Sequence, residues 1–240
     1  MRVLAGGCRV YSGEDGDISS EGNRSTRAVV SPSSGSKRIT QSVAEYVSGT
    51  SPSVTNPGAE EVMYVAAGTG NCVIDGARLG LRPGAAVYIP PDASYQIENS
   101  GPDPMQIISS CCPLIGTKTG SPAAIHEDDR EQIRAGKDRI FRYLVHTDLG
   151  CRQVTQFVGW IPQSKAPFHW HAYEEVIYIL EGRGILHLEE QPAAAEFSSG
   201  SSIYLPDHVV HCLENLGPAP IRLLGVFYPS GSPGEAYEDA

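Results

Sequence analysis

The sequence predicts an all-β protein that contains two copies of one sandwich or barrel. Along the 240-residue chain, short segments rich in branched and aromatic residues alternate with Gly, Pro and Asn. In the second half these segments are EVIYIL, GILHLE, SSIYLP, HCLENL and IRLLGVFY. Evenly spaced short strands with such turns are typical of β-sandwiches and barrels. Gly182 and Gly184 predict a tight hairpin between EVIYIL and ILHLE.

An internal repeat supports two domains of the same fold. The segment EEVMYVAAGTG, which begins at Glu60, matches EEVIYILEGRG, which begins at Glu174, at an offset of 114 residues. Further on, GAAVYIP matches GSSIYLP and ENSGP matches ENLGP, both at an offset of 116 residues. A period of about 115 residues is too long for a solenoid and indicates two domains.

Three segments lie outside the repeated strands. Residues 13–36 are rich in Ser, Gly and charge, which predicts a mobile arm or a long loop. Residues 121–140 form a charged connector, in which Ser121 is a candidate N-cap for a short helix with Pro122 at its first position. The Gly-, Pro- and acid-rich tail from residue 230 onward is predicted to fray.

Composition excludes several functions. The net charge of −10 argues against a nucleic-acid partner, because phosphate binding requires a basic patch. The chain has no apolar run of about 18 residues, which argues against a membrane-spanning helix. Its first residues lack the apolar core of a signal peptide, so we expect a cytoplasmic protein. The six cysteines form no CxxC pair and are expected to pack as small hydrophobic residues.

Residue types that bind metals cluster in the second copy. His169, His171 and Glu175 have the parity of one strand face, and His211 lies 36 residues beyond Glu175. Alternate residues of a strand project from the same face, so the first three side chains point one way and His211 comes from a neighbouring strand. Three imidazoles and one carboxylate suit one divalent transition metal, with Fe(II), Mn(II), Ni(II), Co(II) and Zn(II) all open.

These residues resemble the two sequence motifs of the cupin superfamily, G(X)5HXH(X)3–4E(X)6G and G(X)5PXG(X)2H(X)3N. The first motif is matched by His169, His171, Glu175 and Gly182, and the second by Gly200, Pro206, His211 and Asn215. The resemblance covers roughly residues 25–230 and implies a bicupin with two tandem double-stranded β-helix, or jelly-roll, barrels. Gln163 and His208 replace motif glycines, but neither stands at a ligand position.

The first copy has lost the histidines of the motif. Thr55, Pro57 and Tyr95 stand in their places, and Glu61 alone survives. One carboxylate cannot hold a transition metal by itself, so the first barrel is predicted to be a structural partner that packs on the second barrel or helps to form a homodimer. The predicted organisation is an N-terminal strand and Ser/Gly-rich arm over 1–24, a degenerate cupin barrel over 25–115, a charged connector over 116–140, a metal-binding cupin barrel over 141–230 and a tail over 231–240.

The resemblance implies a metal-dependent enzyme for a small organic substrate, and first of all a dioxygenase-type oxidoreductase. Two alternatives stay open: an isomerase, cyclase or lyase that uses the metal as a Lewis acid, and a non-catalytic cupin that binds a small molecule. Ile177 and Ile179 are predicted to line the barrel beneath the metal. Tyr173 and His208 are candidate residues near the site, the second as a proton shuttle at its mouth.

Overall fold

Strands make up nearly all of the regular secondary structure, as the sequence predicts. A computed structural model describes residues 1–117, 120–136, 138–151 and 153–234. The strands of the first half are β1 (Arg2–Val3), β2 (Arg9–Tyr11), β3 (Asp17–Glu21), β4 (Arg24–Val30), β5 (Thr40–Tyr46), β6 (Gly49–Thr50), β7 (Val54–Thr55), β8 (Ala59–Ala67), β9 (Gly70–Ile74), β10 (Ala77–Leu81), β11 (Ala85–Ile89), β12 (Ser94–Asn99) and β13 (Met105–Pro113).

The second half continues the same pattern. Its strands are β14 (Ala123–His126), β15 (Ile133–Ala135), β16 (Arg139–Val145), β17 (Thr155–Ile161), β18 (Glu174–Glu181), β19 (Arg183–Leu188), β20 (Gln191–Ser198), β21 (Ser202–Leu205), β22 (His211–Asn215) and β23 (Ile221–Tyr228). Short 3-10 segments span Ala5–Gly7, Pro32–Ser34, Glu127–Asp129 and Thr147–Leu149. Within the described ranges, no helix is long and apolar enough to cross a membrane.

Each half forms a jelly-roll barrel from one large and one small sheet. In the first half the large sheet has the order β14-β11-β8-β13-β5-β4-β3, and the small sheet has the order β10-β9-β12-β6 with β7 beside β12. In the second half the orders are β1-β2-β21-β18-β23-β17-β16-β15 and β20-β19-β22. The central order β11-β8-β13-β5 corresponds to β21-β18-β23-β17, so the sequence repeat is also a structural repeat.

The predicted hairpin at Gly182 is wrong. The strands on either side of this glycine, β18 and β19, lie in different sheets, and β18 pairs with β21 and β23. Gly182 has a φ of +93°, and a Cβ there would lie 3.0 Å from the Cα of Ile221. The glycines therefore allow the chain to turn a corner between the two sheets of one barrel. Turn residues indicate where the chain changes direction. They do not determine which strands pair, because the partners of β18 lie further along the chain.

The two halves exchange edge strands. Strand β2, which precedes the first barrel, pairs with β21 of the second, and β14, which precedes the second barrel, pairs with β11 of the first. The short helix predicted after Ser121 is therefore wrong, because residues 123–126 complete a distant sheet edge and find their hydrogen bonds there. Each half thus contributes an edge strand to a sheet of the other half, so the sheets do not divide the chain at one point. The domain boundaries given above therefore remain predictions.

The loop predicted over residues 13–36 is largely a hairpin. Strands β3 and β4 pair from Asp17↔Ala28 to Glu21↔Arg24, and β4 continues the large sheet beside β5. All residues of β3 are exposed, which explains its polar composition at the edge of the sheet. Beyond residue 234 the predicted fraying of the tail falls outside the described residues.

Three apolar clusters hold the two barrels together. One cluster fills each barrel, and the third lies between the two large sheets and draws residues from both halves. Strand β18 shows the alternation: Ile177 and Ile179 face the interior of the second barrel, whereas Val176 and Tyr178 face the other barrel. Both faces of β18 are thus covered, which explains why its sequence reads as a continuous apolar run.

Candidate metal centre

The four predicted ligands converge between the large and small sheets of the second barrel. Glu175 belongs to β18 of the large sheet, and His211 begins β22 of the small sheet. His169 and His171 come just before β18 rather than on it, which corrects the expectation of one shared strand. The main chain of His169 exchanges hydrogen bonds with that of His211, at 3.0 and 2.9 Å, so this segment is tied to the small sheet.

Their side chains surround one point inside the barrel. The ligand nitrogens of His169, His171 and His211 lie within 4.8 Å of one another. Oε2 of Glu175 lies 3.7 Å from Nε2 of His171 and 4.0 Å from Nε2 of His211. The two separations from Glu175 exceed a hydrogen bond, and they fall within the about 4.2 Å that two ligand atoms about 2.1 Å from one ion can span. The three imidazoles thus form a candidate metal cluster, and the carboxylate of Glu175 lies beside two of them.

Backbone carbonyls fix the orientation of two imidazoles. Nδ1 of His211 donates to the carbonyl of Val209 at 2.9 Å, and Nδ1 of His169 donates to that of Pro167 at 3.1 Å. A carbonyl only accepts hydrogen bonds, so the proton resides on Nδ1 and the lone pair of Nε2 points into the site. Such outer contacts are the usual means by which proteins orient histidine ligands.

Burial sets the protonation of the cluster. It lowers the pKa of His171 to about 3, with a smaller contribution from His169, and it also lowers the pKa of His169 and of His211. It raises the pKa of Glu175 to about 8. The imidazoles are therefore neutral, which is the form that binds metals. A cation would favour the ionised carboxylate of Glu175, so the donor set fits a divalent transition metal.

The four side chains open onto a cavity of about 80 Å³ with apolar walls. Phe157, Ile177, Leu223 and Phe227 supply much of this wall, and the position of Ile177 is as predicted. Arg139, at the start of β16, also lines the cavity, and the sequence gives no reason to single it out. It lies within the predicted charged connector, which holds several other cationic residues, so only the fold distinguishes it.

Tyr173 supports a ligand rather than lining the cavity wall. Its ring stacks on that of His171 with centroids 5.0 Å apart and an angle of 13° between the planes. Its hydroxyl donates to the carbonyl of Ser232 at 2.9 Å. Because the hydroxyl is directed toward this carbonyl and the ring lies against His171, the contacts fit a positioning role.

His208 lies in the turn before His211 and is exposed. Its ring stacks on Trp170 with centroids 5.1 Å apart, and its backbone N–H donates to the carbonyl of His171 at 2.7 Å. Its φ of +64° is the left-handed conformation that a glycine adopts readily. The turn therefore keeps its shape although the motif glycine is replaced. Another histidine, His187, lies on β19, where its Nε2 is 2.7 Å from Oε2 of Glu214.

In the first barrel, neutral side chains donate hydrogen bonds to Glu61, the counterpart of Glu175. The buried carboxylate of Glu61 accepts from Tyr95 at 3.2 Å, from Asn56 at 2.5 Å and from Ser109. Thr55, which stands in place of His169, is exposed and shares a 2.6 Å hydrogen bond with Ser94. Glu61 is thus satisfied by neutral donors, in keeping with the predicted structural role of this barrel.

Both barrels of the chain match a known protein family. The model of the cupin domain family, Cupin_2, matches residues 44–111 and 156–227, one segment in each barrel. The protein belongs to the cupin family. The repeat, the two jelly-roll barrels and the motif residues of the second barrel agree with this assignment, and solved structures of similar fold include bicupins.

The chain is similar to known proteins in sequence and in structure. Uncharacterized protein MJ1618 of Methanocaldococcus jannaschii is 40% identical over 93 residues, which cover 38% of this chain and 73% of that protein. A Pseudomonas aeruginosa protein, provisionally named a glyoxylate-induced protein, has a TM-score of 0.82 at 18% identity over 96% of this chain and 92% of its own. Lactobacillus farciminis oxalate decarboxylase, solved as a formate complex, has a TM-score of 0.78 at 13% identity over 97% and 88%. Identities this low establish the shared fold alone.

Proposed function

We propose that the protein is a metal-dependent enzyme that acts on a small organic substrate in its second barrel. In this proposal His169, His171, Glu175 and His211 hold one divalent transition metal. One observation carries it: the four side chains converge at an apolar cavity of about 80 Å³. A purely structural ion does not need an adjacent cavity, because structural sites are closed by their protein ligands.

The residues of the chain define what the site contributes. The backbone contacts of His169 and His211 hold their Nε2 atoms toward the metal position before any ion arrives. The apolar wall excludes bulk water and thereby strengthens electrostatic contacts within the site. When bound, a redox-active ion would supply electrons for dioxygen chemistry, and another ion would supply Lewis acidity.

A dioxygenase-type oxidoreductase is our first proposal for the reaction. His169, His171, Glu175 and His211 would hold the ion beside the apolar cavity, and a redox-active ion there would supply the electrons that dioxygen chemistry on a small substrate needs. Lyase or isomerase chemistry with the metal as a Lewis acid is the second proposal. The shared fold with oxalate decarboxylases supports it as chemistry that the scaffold accommodates, but the low identity limits this to the scaffold.

Metal content and oxygen uptake test these proposals. The protein is purified without a nickel column, reconstituted with each candidate metal, and analysed by inductively coupled plasma mass spectrometry. We expect about one ion per chain and dioxygen uptake with a panel of enols and catechols. Less than about 0.1 ion per chain after reconstitution would overturn the metal-enzyme proposal. One bound ion without oxygen uptake would move the assignment to Lewis-acid chemistry.

His171→Ala is the decisive variant, with Glu61→Ala as its matched control. Both changes remove a buried polar side chain from equivalent regions of the two barrels. We expect His171→Ala to lose most of the metal and Glu61→Ala to retain it. Full metal occupancy in His171→Ala would show that the ligand assignment is wrong.

A further inference from the structure

The cavity beside the metal ligands contains a buried guanidinium with two unused donors. Arg139 lines the cavity and is only 8% exposed. Its Nη1 donates to Oδ1 of Asp138 at 2.6 Å. Its Nε and Nη2 are buried and find no hydrogen-bond partner among the residues that the structure describes. Buried donors are nearly always paired in folded proteins, so this pair of nitrogens calls for a partner that occupies the cavity.

The unpaired nitrogens form one edge of the guanidinium. Nε and Nη2 carry parallel N–H groups, and this fork matches the two oxygens of a carboxylate. Asp138 contacts Nη1, outside this fork, so the charge of Arg139 is partly balanced while Nε and Nη2 stay buried without a partner among the described residues. A buried cation whose Nε and Nη2 lack partners is costly, and a planar anion that moved in against these two nitrogens would remove that cost.

The walls of the cavity favour a flat organic anion over a heavily hydrated one. Phe157 and Phe227 face the same cavity, with ring centroids 4.9 Å apart. A phosphate would bring further oxygens that these apolar walls cannot satisfy. A carboxylate places both of its oxygens on the fork and leaves its organic part against the rings.

Arg139 and the metal ligands belong to one site. All four ligands line the same cavity as the arginine. The charge of Arg139 also contributes to the lowered pKa of His169, after the larger effect of burial, which places the guanidinium near that ligand. A molecule held by the fork would therefore share this cavity with the metal position.

We propose that the substrate is a small carboxylic acid and that Arg139 binds its carboxylate through Nε and Nη2. This deepens the proposed function, on which it rests for the reaction at the other end of the molecule. The binding of the anion itself requires only the guanidinium and the cavity. The two proposals can therefore fail separately.

The test uses acetate and its neutral isostere acetamide as probes. Each is titrated into the full-length metal-free protein while the Nε–Hε resonance of Arg139 is followed by 1H–15N NMR, and the titration is repeated after zinc loading. We expect saturable binding of acetate and at least about tenfold weaker binding of acetamide, because only the anion forms charge-assisted hydrogen bonds with the fork. Equal affinity for the two probes, or no saturation with acetate, would overturn the inference.

Three variants complete the design, with their acetate titrations followed through the backbone amide resonances. Arg139→Gln removes the charge, Arg139→Lys keeps the charge without the fork, and Arg134→Gln removes an exposed charge from the neighbouring strand β15. We expect acetate affinity to fall at least about tenfold in Arg139→Gln, less in Arg139→Lys, and not at all in Arg134→Gln. Wild-type affinity in a folded Arg139→Gln would overturn the inference. If that variant does not fold, the acetamide comparison and Arg139→Lys decide the question.

Metal content separates this inference from the proposed function. One ion per chain without acetate binding overturns the role of Arg139 and leaves the metal-enzyme proposal intact. Acetate binding that depends on Arg139 in a chain that takes up no metal supports the anion site and overturns the metal-enzyme proposal.

Discussion

Tyr95 donates its hydroxyl to the carboxylate of Glu61 at 3.2 Å, from the position in the first barrel that His211 occupies in the second. Ser109 and Asn56 complete the set of donors around this carboxylate. Ser109 corresponds to Gly225 of the second barrel, where a Cβ would lie 2.2 Å from the ring of Phe157. The same fold thus stabilises a buried carboxylate with neutral donors in one barrel and leaves room for an ion in the other.

Replacing Glu61 tests whether this network is purely structural. We expect Glu61→Ala to lower the free energy of unfolding by about 1–3 kcal/mol, because buried donors lose their acceptor. Metal content should stay at the wild-type level. Chemical denaturation and mass spectrometry measure the two effects, with Glu175→Ala as the control that loses metal. A loss of metal in Glu61→Ala would show that the first barrel takes part in metal binding.

Glu175 gives the metal-free protein a characteristic dependence on pH. Burial raises its pKa from an ordinary value of 4.5 to about 8, so the folded state holds a proton that the unfolded state has released. Its stabilising contribution is fully present below pH 4.5 and is lost as the pH rises to about 8. The buried histidines have lowered pKa values and act in the opposite direction, but only below their ordinary value of 6.5.

Between pH 6.5 and 8 we therefore expect the metal-free protein to lose stability as the pH rises. Denaturation midpoints across this window measure the slope. Glu175→Gln should make the slope shallower than in the wild type, because an amide does not titrate in this range, while Glu60 and Glu61, whose pKa values burial also raises, are unchanged. The same proton should be released when metal binds at pH 7, which calorimetry in buffers of different ionisation enthalpy detects. A slope that is unchanged in Glu175→Gln would assign the proton to another group.

The repeat and the motif residues allowed both barrels and the four candidate ligands to be predicted from the sequence. Each of these features is encoded locally, in strand-length segments and in the spacing of His171, Glu175 and their partners. The exchange of β2 and β14 could not be predicted, because it depends on sheet edges that form more than 30 residues away. The role of Arg139 could not be predicted for a similar reason, since only the folded barrel places it at the cavity.

The exchanged strand β2 should matter to the second barrel, although it lies about 190 residues before its partner β21. Val10 pairs with Ile203 of β21 and is buried in the core of that barrel, whereas Val3 on β1 is 59% exposed. We expect Val10→Ala to destabilise the protein by about 1.5–3 kcal/mol, through lost burial and the cavity that remains. Val3→Ala should change stability by less than about 0.5 kcal/mol. Equal effects in thermal denaturation would contradict the structural role of β2.

Replacing His208 can show whether this residue matters for its backbone conformation in the turn or for the chemistry of its imidazole. His208 has a φ of +64°, and its counterpart Asp92 in the first barrel has a φ of +65°. The carboxylate of Asp92 is used, because its Oδ1 accepts from the backbone N–H of Gly58 at 3.0 Å. The ring of His208 is exposed and stacks on Trp170, itself half exposed, which adds little to stability.

We expect His208→Gly to stabilise the protein by about 0.5–1 kcal/mol, because glycine adopts the left-handed conformation without steric cost. The backbone hydrogen bond from residue 208 to His171 is retained, so metal content should not change. His208→Ala should be less stable than His208→Gly, since alanine keeps the strain and loses the ring contact. Asp92→Gly relieves the same strain but removes the hydrogen bond to Gly58, so it should give no net gain. If His208→Gly lowered metal occupancy, the imidazole itself would contribute to the site, and a role confined to the turn would be wrong.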